Sequence, residues 1–356
     1  MAYTTIDDPS AYFQTVLLAS KGAITFDGNS DLQPDMIWNK NRDSAGYSHH
    51  IVDSVRGVSK LLRVDTNAAE FTSADSITSI NTDGFTIGND ANGYMQSGSD
   101  KIVTWGWKAG TTGSGTTTGS GTGKAYSYSV STVAGLSIIK YVGNGTEGHT
   151  IPHHLGTTPQ MLIIKNLSGT TSWVVYHHKN TSAPETDILR LDTDAATADD
   201  ASMFNDTAPT STVFTLGSTS SCNLNDSSYI CYALSNRQSY SKFSSYVGNG
   251  NNNGTYVDLG FSPAFIIRKN ISSSSTNWSM MDNKRFGYNR ILPYMYANSN
   301  IVEQTDQNVN NIDFLSNGFK CRESDANGNA NNATYIYAAW AEFPTVTSSG
   351  VPATAR

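Results

Sequence analysis

Apolar residues fall in short, strand-length runs along the whole chain. Leu136-Ser-Ile-Ile-Lys-Tyr-Val142 largely alternates apolar and polar positions, the period of a half-buried strand. Met161-Leu-Ile-Ile-Lys165 is a continuous apolar run closed by a lysine, as in a core strand. No stretch sustains an apolar 3.6-residue period between capping signals, so the pattern predicts strands and turns with little helix.

The runs recur in order. Tyr141-Val-Gly-Asn-Gly145 and Tyr246-Val-Gly-Asn-Gly250 are identical, and each leads to a proline, an apolar run and a Lys-Asn pair. These are Pro159-Gln-Met-Leu-Ile-Ile-Lys165-Asn166 and Pro263-Ala-Phe-Ile-Ile-Arg-Lys269-Asn270; a tryptophan follows in each, Trp173 and Trp278. Pro34-Asp-Met-Ile-Trp-Asn-Lys40-Asn41 fits the same frame, with Trp38 inside it and Ala19-Ser-Lys-Gly22 where the glycine motif belongs. The later half repeats as well, through Gly84-Phe85, Val213-Phe214 and Gly318-Phe319.

The fold class predicted is all-β: three tandem jelly-roll-like β-sandwich repeats of about 100 residues, the size of an ordinary domain. The expected boundaries are a diverged first repeat with an N-terminal arm at 1–110, a second at 136–238 and a third at 239–345. Residues 111–135, rich in Gly, Thr and Ser, read as a flexible linker, and 346–356 as a tail. Gly-Asn-Gly reads as the turn of a first hairpin. Trp38, Phe85, Trp173, Phe214, Trp278 and Phe319 are the expected repeat core. The short join near 235–241 predicts that the second and third repeats pack as a pair, with the first placed separately.

Composition agrees with strands. Apolar residues make up 38% and aromatics 10%, enough for real cores, while charged residues are only 15% against roughly 25% in an average chain. A net charge of −7 argues against binding nucleic acid, and no apolar run is long enough for a membrane span. The N-terminus lacks the basic start and apolar core of a secretory signal, so export by that route is not expected. Cys222, Cys231 and Cys321 are expected as buried free thiols, with a Cys222–Cys231 bridge as the alternative.

Several signatures together carry a resemblance. They are the opening Tyr3-Thr-Thr-Ile-Asp-Asp-Pro-Ser-Ala-Tyr-Phe-Gln14, the tandem glycine motifs, Asp53-Ser-Val-Arg-Gly57, Asp83-Gly-Phe-Thr-Ile-Gly88 and Trp105-Gly-Trp-Lys-Ala-Gly110. In this order, over nearly the whole chain, they resemble a family of proteins carried by tailed bacteriophages, many of them marine, placed among virion structural or tail-fibre-like proteins. The resemblance implies a virion location and assembly with other head or tail proteins; closed symmetry, the default for a particle-bound subunit, predicts a homo-oligomer such as a trimer. It implies no catalytic residue.

Candidate chemistry is sparse. Asp325-Ala-Asn-Gly-Asn329 has alternating oxygen side chains but lacks the glutamate and glycine positions of an EF-hand, so turn chemistry is expected. The histidines, His49-His50, His149, His153-His154 and His177-His178, include neighbours that point to opposite faces of a strand, which disfavours zinc; surface or inter-subunit contacts are expected. Asp53 and Asp282 share a frame in which Tyr176 stands in the second copy. No nucleophile, zinc or phosphate-loop motif occurs, so neither enzyme nor cofactor is expected. A polysaccharide depolymerase ranks third, because such spikes repeat at far shorter periods. Two functions lead: a virion structural subunit, or an adhesin for host-surface glycans. Tyr94, Tyr288, Arg290, Tyr294 and Tyr296 are the candidate ligand or interface contacts, since aromatics and arginine are enriched at interface cores.

Overall fold

The computed structural model describes residues 4–352; Tyr3 of the opening signature and residues 353–356 of the tail lie outside them. Antiparallel strands form three pairs of sheets. In the first pair the large sheet runs, in spatial order, Phe13–Leu18, Ile102–Trp107, Met36–Asn41, His50–Asp53, Lys60–Arg63 and Phe71–Thr72. In the second the same order is kept by Leu136–Val142, Ser228–Leu234, Met161–Asn166, Val174–His177, Asp187–Arg190 and Ala198–Asp199. In the third it is kept by Ser241–Val247, Thr334–Pro344, Phe261–Asn270, Ser279–Asp282 and Met295–Tyr296. Each time the opening strand pairs with the closing one.

A three-stranded sheet covers one face of each large sheet, making a sandwich. Phe85, Phe214 and Phe319 lie in these small sheets with no exposed surface. Around Phe85, side chains of both sheets, among them Ile24, Ile37, Val52 and Ile102, form one apolar cluster. Around Phe214 the cluster includes Ile139, Leu162, Val174 and Cys231.

The Gly-Asn-Gly motif is not a hairpin. The strand before it, Leu136–Val142, belongs to the large sheet, and the one after it, His149–Pro152, to the small sheet. The motif carries the chain from one sheet to the other. Asn144 N and Asn249 N donate to the side-chain oxygens of Asn223 and Asn329, at 2.9 and 3.1 Å, and both of those amides are fully buried. Glycine is required at the end of the motif, because Gly145 and Gly250 have φ of 72° and 64°.

The Gly/Thr/Ser-rich tract is not a linker either. Thr111–Thr116 pairs with Ala125–Ser131, which pairs in turn with Leu136–Val142, and this hairpin widens the second large sheet to eight strands. Glycine serves a packing purpose here: a Cβ at Gly113 would stand 2.5 Å from the Tyr128 hydroxyl, and one at Gly115 2.8 Å from that of Tyr126. The two tyrosine rings occupy the space the glycines leave.

The other faces of the three large sheets meet. Phe13, Trp107, Trp105, Phe265 and Trp340 are in ring contact, with centroids 4.9–6.1 Å apart. An apolar cavity of ≈ 30 Å³ lies against Trp107, Phe265 and Trp340 of this group. Its walls include Met36, Met161 and Phe265, and also Trp38, Ile163 and Ile267. Strand register makes these matched positions: Trp38, Ile163 and Ile267 pair opposite Trp105, Tyr232 and Ala338 on the closing strands. The first sandwich is therefore not placed apart. All three are built around one axis.

Candidate functional site

The same register corrects two sequence alignments. Asp53, His177 and Asp282 are counterparts, paired opposite Met36, Met161 and Phe265, so His177 and not Tyr176 holds this place in the second sandwich. The residue that matches Trp173 and Trp278 in the first sandwich is His49. Trp38 is buried one strand away and donates its Nε1–H to His49 Nδ1 at 3.0 Å.

These positions form the seams between sandwiches. At the first, Trp173 Nε1 donates to the Arg63 carbonyl at 3.0 Å, and Tyr232 Oη donates to Asp53 Oδ2 at 2.8 Å. At the second, Trp278 Nε1 donates to the Arg190 carbonyl at 2.9 Å, and His177 Nε2 to the Tyr337 carbonyl at 3.3 Å. At the third, Trp105 Nε1 donates to Asp282 Oδ2 at 3.2 Å. One backbone bond of the same kind crosses each seam: Glu70 N to Leu167 O, Thr197 N to Ile271 O, and Glu303 N to Arg42 O, at 3.1, 3.1 and 2.9 Å. The third seam closes the ring and adds a paired Arg42–Glu303 ion pair at 2.8 Å.

The Lys-Asn signature now has a physical role. Asn41, Asn166 and Asn270 cap the turn after their strand by accepting from backbone N–H groups two residues on. Lys165 and Lys269 reach across a seam to the carbonyls of Asn67 and Asp194, at 3.1 and 3.3 Å. Lys40 bonds the Asn41 and Tyr47 carbonyls instead, and at that seam Gly46 N takes the Asn300 carbonyl. Burial pulls all three ammonium groups down to about 8.

Histidines expected at the surface are mostly inside. His49, His50, His149, His153 and His177 are buried, His50 and His177 in strands with every residue buried. Burial holds His50 and His177 down to about 3 and His153 to about 4. The three cysteines are buried free thiols. Oxygens of the Asp325–Asn329 stretch are taken up by backbone N–H groups, Asp325 accepting from Asn327 and Asn310.

A family model matches residues 8–344. The chain belongs to the DUF7483 family. That family is described as a domain of unknown function, and the match runs through all three sandwiches and their seams. No curated protein and no solved structure matches the chain.

On this DUF7483 body the nominated contact residues are dispersed. Tyr94 is half-buried against Phe71 and His50, with ring centroids at 5.0 and 5.2 Å. Tyr294 is 4% exposed and Tyr296 is half-buried beside it, because the segment pairs with Ser279–Asp282 and with Gln304. Arg290 is half-buried, while Tyr288 is 76% exposed, next to Phe286 at 45%. Only Tyr288 of the five is presented outward. Sequence reasoning missed a second aromatic group, Tyr126, Tyr128 and His154, in which the His154 ring stacks on Tyr128 at 3.9 Å. Its signal was the alternation of glycine and tyrosine in the tract mistaken for a linker.

Proposed function

We propose that the chain is a non-enzymatic structural subunit of a bacteriophage virion, a head-decoration or tail-fibre-like component. The observation that carries the structural role is the closure of three sandwiches around one aromatic core, with matched bonds at every seam. Such a body is rigid and presents three sets of outward loops. The phage setting rests on the ordered signatures from Tyr3 to Gly110. The apolar faces that would drive three chains together are already used within one chain, so this subunit fits a three-fold site on a particle as a single copy.

One observation favours the adhesin reading as the second choice: the exposed pair Phe286 and Tyr288, in a loop longer than its counterparts in the other sandwiches. Immunogold labelling of intact particles with antibody to the purified chain tests both. Gold spread over the head supports decoration, gold confined to the tail supports attachment, and unlabelled particles overturn the virion assignment.

A further inference from the structure

The third seam opens at the surface into a cleft of ≈ 230 Å³ between the start of the first sandwich and the last strand of the third. We infer that this cleft binds one ring of a neutral saccharide. The inference does not depend on whether the chain is carried on a particle.

The wall from the first sandwich is held in place before any ligand arrives. Gln14 accepts from Gly28 N at 2.7 Å and donates to the carbonyls of Ser10 and Ser30 at 2.9 and 2.7 Å. Asp8 accepts from Ser10 N and from the hydroxyls of Ser10 and Ser30, at 3.0, 2.6 and 2.6 Å. Glycine at 28 leaves room for this bond, since a Cβ there would lie 2.5 Å from Gln14 Oε1 and push that side chain aside. Lys284 crosses from the third sandwich to Asp27 at 2.8 Å and ties the two walls together. A fixed wall lowers the ordering cost of binding. Thr15, also lining the cleft and 4% exposed, leaves its buried hydroxyl without a partner.

The lining chemistry selects the ligand. Asp8, Asp27 and Glu342 outnumber the single cation Lys284, which disfavours phosphates and acidic sugars. No three carboxylates or histidines among the described residues are grouped closely enough to hold a metal ion. Asp8, Asp27 and Glu342 line it with acceptors for sugar hydroxyl groups, and the Asn29 and Asn283 side chains bring amide donors. Phe343, 46% exposed, offers an apolar ring for the C–H face of a pyranose. The volume falls below the roughly 300–1,000 Å³ of drug-sized sites and suits one ring.

Saturation-transfer NMR on the full chain tests this, with glucose, galactose, mannose, N-acetylglucosamine and N-acetylgalactosamine as probes at millimolar concentration. At least one of them receives saturation at its ring protons. Phe343→Ala and Asn29→Ala each weaken that binding by about tenfold, an ordinary loss for one contact residue. Both leave the melting temperature unchanged, because both side chains are exposed or nearly half so. Leu224→Ala, an exposed change on the second sandwich and outside the cleft, leaves binding as it was. No transfer to any of the five sugars, or binding that survives both cleft variants, overturns the site. So does competition by arginine ethyl ester in place of sugar binding, which would make the cleft a cation pocket.

Discussion

Asp53 Oδ2 accepts two hydrogen bonds from opposite sides of a seam: Tyr232 Oη at 2.8 Å from the second sandwich and Arg56 Nε at 2.5 Å from its own. Asp282 Oδ2 repeats the arrangement, with Trp105 Nε1 at 3.2 Å and Arg285 Nε at 2.6 Å. In each case a buried ion pair inside one sandwich is finished by a donor from the next. Neither half of the arrangement is complete without the ring.

Removing the shared acceptor therefore costs more than removing the donor. Asp53→Ala takes from buried Arg56 its fully buried partner, leaving Glu70 as its remaining carboxylate, and orphans the Tyr232 hydroxyl as well; it is expected to lose about 3 kcal/mol or more, against about 1.5–3 for Tyr232→Phe. Urea unfolding measures both. Equal losses would show that the Asp53–Arg56 pair contributes nothing beyond its seam bond.

A common core predicts common unfolding. Tryptophan fluorescence and far-ultraviolet circular dichroism should follow one transition at one midpoint, although the chain exceeds the length at which single transitions are routine. A chain limited to residues 111–352 uncovers Phe265 and Trp340, which pack on Phe13 and Trp107, and should bind a hydrophobic dye and melt early. Two well-separated transitions, or a stable truncated chain, would contradict the shared core.

Acid should open the molecule before alkali does. The folded-state values of His50, His153 and His177 lie at about 3 to 4, below the unfolded value near 6.5, and burial beside Lys40 and His50 also holds His49 well below it. Their contribution is complete above pH 6.5 and is lost as pH falls toward 4. Glu323 acts in the opposite direction: burial pushes it up to about 8 against the pull of Arg268, so its contribution is complete below its ordinary value of 4.5 and fades as pH rises from there toward 8. Melting temperature should rise between pH 4 and 6.5, and more steeply in Glu323→Gln. A flat profile there would mean that the buried histidines are solvated.

Gly115→Val and Gly113→Val should displace the Tyr126 and Tyr128 rings and undo the stack with His154. Overpacking of this kind costs about 1–3 kcal/mol. Hydrogen exchange along Thr111–Thr116 reads it directly, and unchanged protection would remove the packing role assigned to these glycines.

Phe286→Ser with Tyr288→Ser should leave stability within about 0.5 kcal/mol, as surface changes do. If the loop is a contact surface, the double variant fails to label particles or host cells to which the parent chain binds. Full binding by the variant moves the contact elsewhere.

Much of the fold was legible because strand period and motif order survive divergence. The strand class, the buried Phe85, Phe214 and Phe319, and the free thiols all follow from local pattern. What escaped was non-local. Nothing in Gly-Asn-Gly says whether the next strand returns to the same sheet; that depends on Asn223 and Asn329, which lie far along the chain. The glycine-rich tract was unreadable as strand until the two tyrosines that fill its gaps were placed opposite it. Tyr294 and Tyr296 looked exposed because a variable loop surrounds them, yet the Gln304 backbone and Met280–Met295 pairing draw them inward. The seams were hidden because His49 and His177 share no chemistry with their counterparts.

Ring closure also brings the beginning and end of the described chain together. Ser348 donates its backbone N–H to Asp7 Oδ1 at 2.6 Å, and its hydroxyl bonds the other carboxylate oxygen. The order in which the sandwiches follow one another is then a matter of where the loop of chain is cut. A circular permutant with these ends joined, and new ends opened near 236–239, should assemble the same body, with the former second join serving as the entrance and exit of the polypeptide.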